Sequence, residues 1–251
     1  YQDFKRFVLV DDIGGVKVIT IRRPQAMNAL NDELTDEILS VFKEFEDDPA
    51  VKGFVITGYG TAAFSAGADI GKFPEMLGDA RASAQYARDC AKVQMYMDQM
   101  QKPVVAAVNG FALGGGLEVA IRCHAIVATK KTSFQFPEIT LGILPGIGGC
   151  VVPYRKWPRG AELFHEMICL GRPLKVQEAA DIGAAMADKD ANARLLAGDI
   201  ALRRICLLPG LRPARAGQQS GAGGGGATGL DHRFGDILWL AEGTDGKDAR
   251  A

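Results

Sequence analysis

The spacing of hydrophobic residues near the start of the chain changes from that of a strand to that of a helix. Residues 7–23 alternate as strands do, and residues 12–15 (DIGG) supply a turn, which predicts a hairpin. From Asn31 or Asp32 to about Asp48, apolar residues recur every three or four positions. This spacing predicts a helix with one buried face. The apolar residues on that face are Leu34, Ile38, Val41, Phe42 and Phe45.

Short apolar runs and helical segments alternate over the next part of the chain. The pattern predicts buried strands over residues 51–57, 104–108 and 125–129, and a short strand over 133–136. It predicts a helix start at 68–70, and helices over 79–101 and 117–122. Strands that alternate with helices in this way imply an α/β fold with crossover connections.

The composition of the chain changes near residue 184. Residues 1–183 contain 16 valines and residues 184–251 contain none, whereas 12 of the 31 glycines lie in the shorter segment. Residues 218–226 (QQSGAGGGG) are typical of a flexible linker. We therefore predict a core over residues 1–183 and an atypical Gly/Arg-rich tail over 184–251, partly helical near 190–207 and partly disordered. A reading-frame change in the source sequence, or a divergent end, would explain the shift.

Charge and composition argue against several classes of partner. Lys and Arg number 29 against 30 Asp and Glu, whereas nucleic-acid and anionic-membrane proteins need a basic surface. No apolar run reaches the ~18–20 residues of a membrane span. Five cysteines without a CxxC pair are typical of free thiols in a reducing cytosol. We expect a cytoplasmic protein without nucleic-acid or membrane partners, and without a metal, since no His/Cys cluster has zinc spacing.

Three glycine-rich segments interrupt the regular pattern, at residues 63–69, 109–118 and 137–149. Glycine allows a backbone to approach a ligand closely. The first two segments each follow a predicted strand and precede a predicted helix, where backbone N–H groups are unpaired donors. Two converging N–H groups of this kind form an oxyanion hole. Taken singly, each segment is more often a tight turn.

Two carboxylates follow these glycines closely. Glu118 lies in the first turn of its predicted helix, and Glu138 follows Pro137 at the end of a short predicted strand. As a pair they would serve as acid and base around one water. Each also has a purely structural interpretation, because Glu118 would complement the helix dipole and Glu138 would be solvated. Spacing along the chain leaves their separation in space open.

Several ordered strings resemble the signature segments of one enzyme family. FSAGADI (64–70), AAVNGFALGGGLEVAIRCHAIVAT (106–129) and FQFPEITLGILPGIGG (134–149) look like those of the crotonase superfamily, the enoyl-CoA hydratase/isomerase family. RRPQAMNALN and VKGFVITG resemble its earlier segments, so the resemblance covers about residues 7–183. It implies a crotonase-like spiral of ββα repeats with a helical C-terminal region, assembled as a homotrimer or a dimer of trimers.

The resemblance also implies a substrate and its contacts. The family binds acyl-CoA thioesters, and coenzyme A is part of the substrate, so no cofactor is expected. By position, the backbone amides of Ala68 and Gly115 would bind the thioester carbonyl and stabilise the enolate, because fixed dipoles that face a developing charge lower the barrier. The FSAGADI segment lies along coenzyme A in the family, which makes Ala66, Asp69 and Ile70 candidate contacts.

The two glutamates distinguish activities within the family. Hydratases resemble this chain in having both, and Glu118 and Glu138 would then hold a water between them. Glu138 would donate a proton to C2, and Glu118 would orient and activate the water that adds to C3. The prediction is an enoyl-CoA hydratase. The alternatives are an enoyl-CoA isomerase that uses Glu138 alone, and a non-catalytic acyl-CoA-binding protein disabled by its tail.

Two positions depart from the family pattern. Many hydratases have Lys directly after Asp-Ile, where this chain has Gly71 and then Lys72. After Gly149, the usual Thr-Gln-Arg-Leu is replaced by Cys-Val-Val-Pro, which suggests altered acyl specificity. The methionines between residues 95 and 100 are expected in the core, although in the family this neighbourhood also lines the acyl pocket.

Overall fold

The computed structural model describes residues 7–76 and 78–188, whose strands form two sheets. In chain order the strands and α-helices are β1 (Val8–Ile13), β2 (Val16–Ile21), α1 (Asp32–Phe45), β3 (Gly53–Gly58), β4 (Ala63–Ser65), α2 (Phe73–Met76), α3 (Ala80–Met97), β5 (Val104–Val108), β6 (Phe111–Leu113), α4 (Gly115–Arg122), β7 (Ala125–Thr129), β8 (Ser133–Gln135), α5 (Val152–Lys156), α6 (Ala161–Leu170), β9 (Leu174–Lys175), α7 (Val176–Asp181) and β10 (Met186–Asp188). A 3₁₀ helix, Pro137–Leu141, follows β8.

The larger sheet has the strand order β1-β2-β3-β5-β7-β10. β1 and β2 form the predicted antiparallel hairpin, and its turn contains Gly14 and Gly15, both with positive φ. From β2 to β10 every neighbouring pair is parallel. All residues of β3 and β5 are buried, as is typical of the central strands of a parallel sheet.

The smaller sheet has the order β4-β6-β8-β9, and it explains the repeat of the fold. The strands β3, β5 and β7 of the larger sheet are each followed by a short strand of the smaller sheet, namely β4, β6 and β8. A helical segment comes after each of these strand pairs. This succession is the predicted spiral of ββα units, and the α/β fold class is confirmed.

One large cluster of buried side chains joins the helices to the sheets. In α1, the apolar face predicted from the sequence is buried except for Phe45, which is partly buried, and the Phe42 ring packs edge-on against Phe54 of β3 at 5.1 Å. Asn31 caps this helix by accepting a hydrogen bond from the Leu34 amide. The opposite face of the larger sheet carries a smaller cluster built mainly from valines. The larger cluster thus holds the helices and the smaller sheet against one face of the larger sheet.

The structure differs from the sequence prediction at several boundaries. β4 and β6 lie inside segments predicted as glycine-rich loops, because three-residue strands are too short to show a period. α3 ends at Met97, several residues before the predicted end. β10 pairs with β7 beyond the predicted core boundary at residue 183. The predicted helix near 190–207 and the predicted disorder after it lie outside the described residues.

Within the described ranges, no helix is long and apolar enough to cross a membrane.

Candidate active site

The segment after β4 is held by a single parallel bridge between Leu30 and Ala68. The Leu30 amide donates to the Gly67 carbonyl at 2.7 Å, and the Asp69 amide donates to the Leu30 carbonyl at 2.9 Å. In a parallel bridge the two flanking residues supply these bonds, so the N–H of the central residue points to the other side. The Ala68 amide therefore faces away from Leu30, toward the start of α4.

Asn28 fixes the other end of this segment. Its side-chain amide donates to the Tyr59 and Ala63 carbonyls, and its Oδ1 accepts from the Arg23 amide. Met27 and Asn28 both have positive φ, which turns the Met27 carbonyl to accept from the Ala66 amide at 3.0 Å. The MNAL string thus positions the backbone on which the Ala68 amide is carried.

The glycines of the second segment bring the start of α4 against this backbone. A Cβ atom at Gly116 would lie 2.5 Å from the Ser65 carbonyl oxygen, so only glycine permits this approach. A Cβ atom at Gly115 would lie 3.5 Å from the Ala68 nitrogen. Because Gly115 is the first residue of α4, its N–H is one of the helix's unpaired donors. The two predicted oxyanion donors are therefore neighbours.

Glu118 lies in the first turn of α4 and is 2% exposed. Its Oε1 accepts hydrogen bonds from the amides of Ile147 at 2.7 Å and Gly149 at 2.8 Å. Burial raises the pKa of Glu118 above its usual value, and the two backbone hydrogen bonds oppose that shift. The loop therefore holds the Glu118 carboxylate through Oε1.

Glu138 enters the site from the 3₁₀ helix that follows β8 rather than from a strand end. Burial, together with the nearby Glu118 charge, raises the pKa of Glu138 to about 7. Its buried Oε2 makes no hydrogen bond to any residue within 7–76 and 78–188. A buried carboxyl group of this kind favours the protonated form and acts as a proton donor near neutral pH.

These groups border one cavity of about 460 Å³. Ala66, Ala68, Gly115, Glu118 and Glu138 all line it. Apart from the two carboxylates and the backbone amides, its wall is largely apolar. An apolar cavity with a few convergent polar groups is the usual form of a small-molecule site. The apolar part includes Ile70, Phe73, Leu141, Ile143 and Leu144.

Asp69 is the one predicted contact that turns away from the cavity. Its Oδ2 pairs with Arg23 Nη2 at 2.9 Å, and its Oδ1 accepts from the Gly71 amide. Asp69 thus caps the short 3₁₀ helix Ile70–Lys72. The predicted contact between Asp69 and the substrate therefore gains no support from the geometry, whereas Ala66 and Ile70 both border the cavity.

The sequence prediction missed the wall that α3 contributes. Ser83, Tyr86, Ala87 and Cys90 line the cavity. Met97 and Met100 are buried in the core as predicted, but Met95 is 59% exposed. Positions 83, 86, 87 and 90 lie on one face of a helix, and this spacing is the signal in the sequence that could have revealed the wall. The Tyr86 ring packs edge-on against Phe73 at 5.9 Å, which fixes this wall to α2.

No group of three His, Cys, Asp or Glu side chains suited to a metal ion occurs among the described residues. The predicted absence of a metal stays a prediction.

Comparison with protein families gives one match that spans most of the chain. The family described as enoyl-CoA hydratase/isomerase matches residues 12–194. This range contains the cavity residues and extends past β10 into the predicted tail.

Curated relatives and solved structures agree with that match. The chain is 39% identical over 176 residues to a short-chain-enoyl-CoA hydratase of Clostridium acetobutylicum, covering 70% of this chain and 66% of the relative. It is 42% identical over 170 residues to a mitochondrial enoyl-CoA hydratase of Pongo abelii, covering 67% of this chain and 56% of the relative. The chain thus spans about three fifths of these relatives.

A crystal structure of an enoyl-CoA hydratase from Thermoplasma volcanium superposes with a TM-score of 0.72 at 29% identity. The match covers 82% of this chain and 79% of that one.

Proposed function

The chain belongs to the enoyl-CoA hydratase/isomerase family, and from this premise we propose that it hydrates 2-enoyl-CoA thioesters. Water adds across the 2,3 double bond and gives the 3-hydroxyacyl-CoA. One observation carries the proposal: Glu118 and Glu138 border the same cavity as the Ala68 and Gly115 amides. This is the combination of two carboxylates and two backbone donors that hydration needs.

The two amides would bind the thioester oxygen. As water adds to C3, electron density moves through C2 to this oxygen, and the intermediate has enolate character. Donors that are already fixed by the Leu30 bridge and by the start of α4 need no reorganisation when the charge develops. The amides thereby stabilise the transition state more than the substrate.

The two carboxylates would divide the proton chemistry. Glu118, held by the Ile147 and Gly149 amides, would accept a hydrogen bond from the water and direct its oxygen to C3. Glu138, with its pKa raised to about 7, would deliver a proton to C2. Glu138 then takes up the proton that the water loses, so the carboxyl group returns to its protonated form. The reaction therefore consumes one water for each enoyl-CoA and no other reactant.

The cavity supports a short acyl group as the substrate class. About 460 Å³, with an apolar wall, suits a small enoyl group, and coenzyme A would extend out past Ala66 and Ile70. The relative from Clostridium acetobutylicum is named a short-chain-enoyl-CoA hydratase, which agrees with this size. We therefore propose crotonyl-CoA as the first substrate to test.

The test is the loss of the conjugated enoyl-thioester absorbance of crotonyl-CoA with the parent protein, Glu118→Gln and Glu138→Gln. We expect hydration by the parent and a loss of roughly 10²–10⁴-fold in each variant. Activity that survives in Glu118→Gln but not in Glu138→Gln, with a 3-enoyl product, would favour an isomerase. Binding of crotonyl-CoA by calorimetry without turnover would favour a binding protein.

Assembly and compartment are proposed on separate grounds. Leu144 and Leu170 are 64% and 74% exposed, and exposed apolar side chains of this size favour association. We propose a homotrimer or a dimer of trimers, to be tested by light scattering after gel filtration. The unpaired thiols of Cys90, Cys123 and Cys150 support a reducing, cytoplasmic compartment, which cell fractionation would test.

A further inference from the structure

Arg122 connects Glu118 to two neighbouring elements. It lies four residues after Glu118 at the end of α4, and its guanidinium forms an ion pair with Asp98, the residue that follows α3. Its Nη2 donates to the Ile147 carbonyl oxygen at 3.3 Å. The Arg122 side chain is 21% exposed and the Asp98 side chain is 46% exposed, so the ion pair lies at the surface, whereas the contact with Ile147 is partly buried.

The Ile147 carbonyl belongs to the peptide group between the two amides that hold Glu118. The Ile147 N–H precedes that peptide and the Gly149 N–H follows it, and both donate to Oε1 of Glu118. Each flanking peptide group shares a Cα atom with the middle one, so holding the middle plane limits both donors to rotations about the shared Cα atoms. Arg122 also packs against Gly148, where a Cβ atom would lie 2.7 Å from Nη2.

Arg122 acts on Glu118 through its charge as well as through its hydrogen bond to the loop. Burial raises the pKa of Glu118, and the Arg122 charge is among the influences that lower it. Other titratable groups face this pair from neighbouring elements. They are Cys90 and Asp98 on or next to α3, Glu138 in the 3₁₀ helix, Cys150 after the loop and Lys156 in α5.

We propose that Arg122 is a positioning residue for Glu118. It holds residues 147–149 so that both amides keep the Glu118 carboxylate ionised and directed at the cavity, and Asp98 holds Arg122 in place. The inference rests on the proposed function, in which Glu118 orients the water. Arg122 itself touches no reacting atom in this arrangement.

The kinetic test compares Arg122→Gln with Arg155→Gln, a matched change at an exposed arginine of α5. In Arg122→Gln we expect kcat for crotonyl-CoA to fall roughly tenfold to a hundredfold, with KM within about twofold of the parent value. The acid limb of the pH–rate profile should move to higher pH. Arg155→Gln should match the parent protein. Arg122→Lys should restore the position of the acid limb, because it keeps the charge.

A second readout does not depend on activity. In protein labelled with ¹³C at glutamate carboxyl groups, the Glu118 signal is assigned by its loss in Glu118→Gln and titrated by NMR. We expect Glu118 to titrate at higher pH in Arg122→Gln than in the parent. An unchanged titration overturns the proposal, even if kcat falls, because the loss would then be merely structural.

The two proposals fail in distinguishable ways. A parent protein without hydratase activity contradicts the proposed function, while the titration still tests Arg122. If Arg122→Gln does not fold, Arg122→Met serves in its place, since it keeps the apolar stem of the side chain and removes the charge and the hydrogen bond to Ile147. Glu118 is expected to titrate at higher pH in Arg122→Met than in the parent, and no change would overturn the proposal.

Discussion

The Glu138 carboxylate lies directly against the backbone of Gly114. A Cβ atom at position 114 would stand 2.8 Å from Oε1 of Glu138. Gly114 also has φ 49° and ψ −125°, a conformation that residues with a side chain rarely adopt. The proton donor and the start of the helix that carries Gly115 therefore meet at a position where only glycine fits.

We predict that Gly114→Ala lowers kcat for crotonyl-CoA by at least roughly tenfold, because the new methyl group displaces Glu138 and strains the start of α4. Steady-state kinetics on the folded variant measure this effect. Gly60→Ala is the matched control, since Gly60 also has positive φ but has nothing within 4 Å of the added atom. Equal losses in both variants would show that backbone strain, and not the contact with Glu138, is responsible.

The pH dependence of hydration follows from the two carboxyl groups. Glu138 must be protonated to act as donor, and its pKa is raised to about 7, so the rate should fall as the pH rises through about 7. Glu118 acts as a carboxylate, so the rate should also fall at low pH, where Glu118 becomes protonated. The profile of kcat/KM between pH 5 and 9 measures both limbs. A rate that stays constant from pH 6 to 9 would contradict the role of Glu138.

Glu138 also links stability to pH. Its folded-state pKa lies above the value of 4.5 for a free side chain, so the folded protein binds the proton more tightly. This contribution is complete below pH 4.5 and is lost as the pH rises through about 7. The free energy of unfolding of Glu138→Gln should therefore depend less steeply on pH between 5 and 8 than that of the parent. Urea unfolding at several pH values measures the difference, and parallel curves would contradict it.

Asn28→Ala should destabilise the protein and the oxyanion segment together. The variant loses the bonds to Tyr59, Ala63 and Arg23, of which the bond to the Ala63 carbonyl oxygen is fully buried. We expect a loss of about 2–4 kcal/mol in the free energy of unfolding, measured with urea. Asn31→Ala is the control, because it removes only a helix cap and should cost about 1 kcal/mol. Similar losses in the two variants would contradict the role assigned to Asn28.

Asp69 should contribute to stability more than to binding. Its carboxylate pairs with Arg23 and caps a 3₁₀ helix. We expect Asp69→Asn to lower the free energy of unfolding by about 1 kcal/mol, with KM for crotonyl-CoA within about twofold of the parent value. A double-mutant cycle with Arg23→Gln should show that the two losses are not additive. A large rise in KM without loss of stability would restore Asp69 as a substrate contact.

The strands and helices that the sequence predicted are those with a long period or a clear boundary. The apolar stripe of α1 and its Asn31 cap could be read from the sequence, and so could the hairpin turn at Gly14 and Gly15. β4 and β6 could not be predicted, because a strand of three residues is too short to show the spacing of either a strand or a helix. The cavity-lining residues of α3, at positions 83, 86, 87 and 90, have the spacing of a helix face in the sequence. That spacing does not show that they line a cavity, since a helix face of this kind usually packs against a core.

What the sequence by itself determined was the chemistry available: two glutamates, each within a glycine-rich segment, in an ordered set of family-like motifs. What only the tertiary structure decided was which groups meet. Glu118 and Glu138 are separated along the chain, and they share a cavity because the turns of the spiral place the ends of parallel strands side by side. The contact between Arg122 and Ile147 and the turn of Asp69 toward Arg23 also depend on this packing. Such contacts join residues distant in sequence, and no local period encodes them.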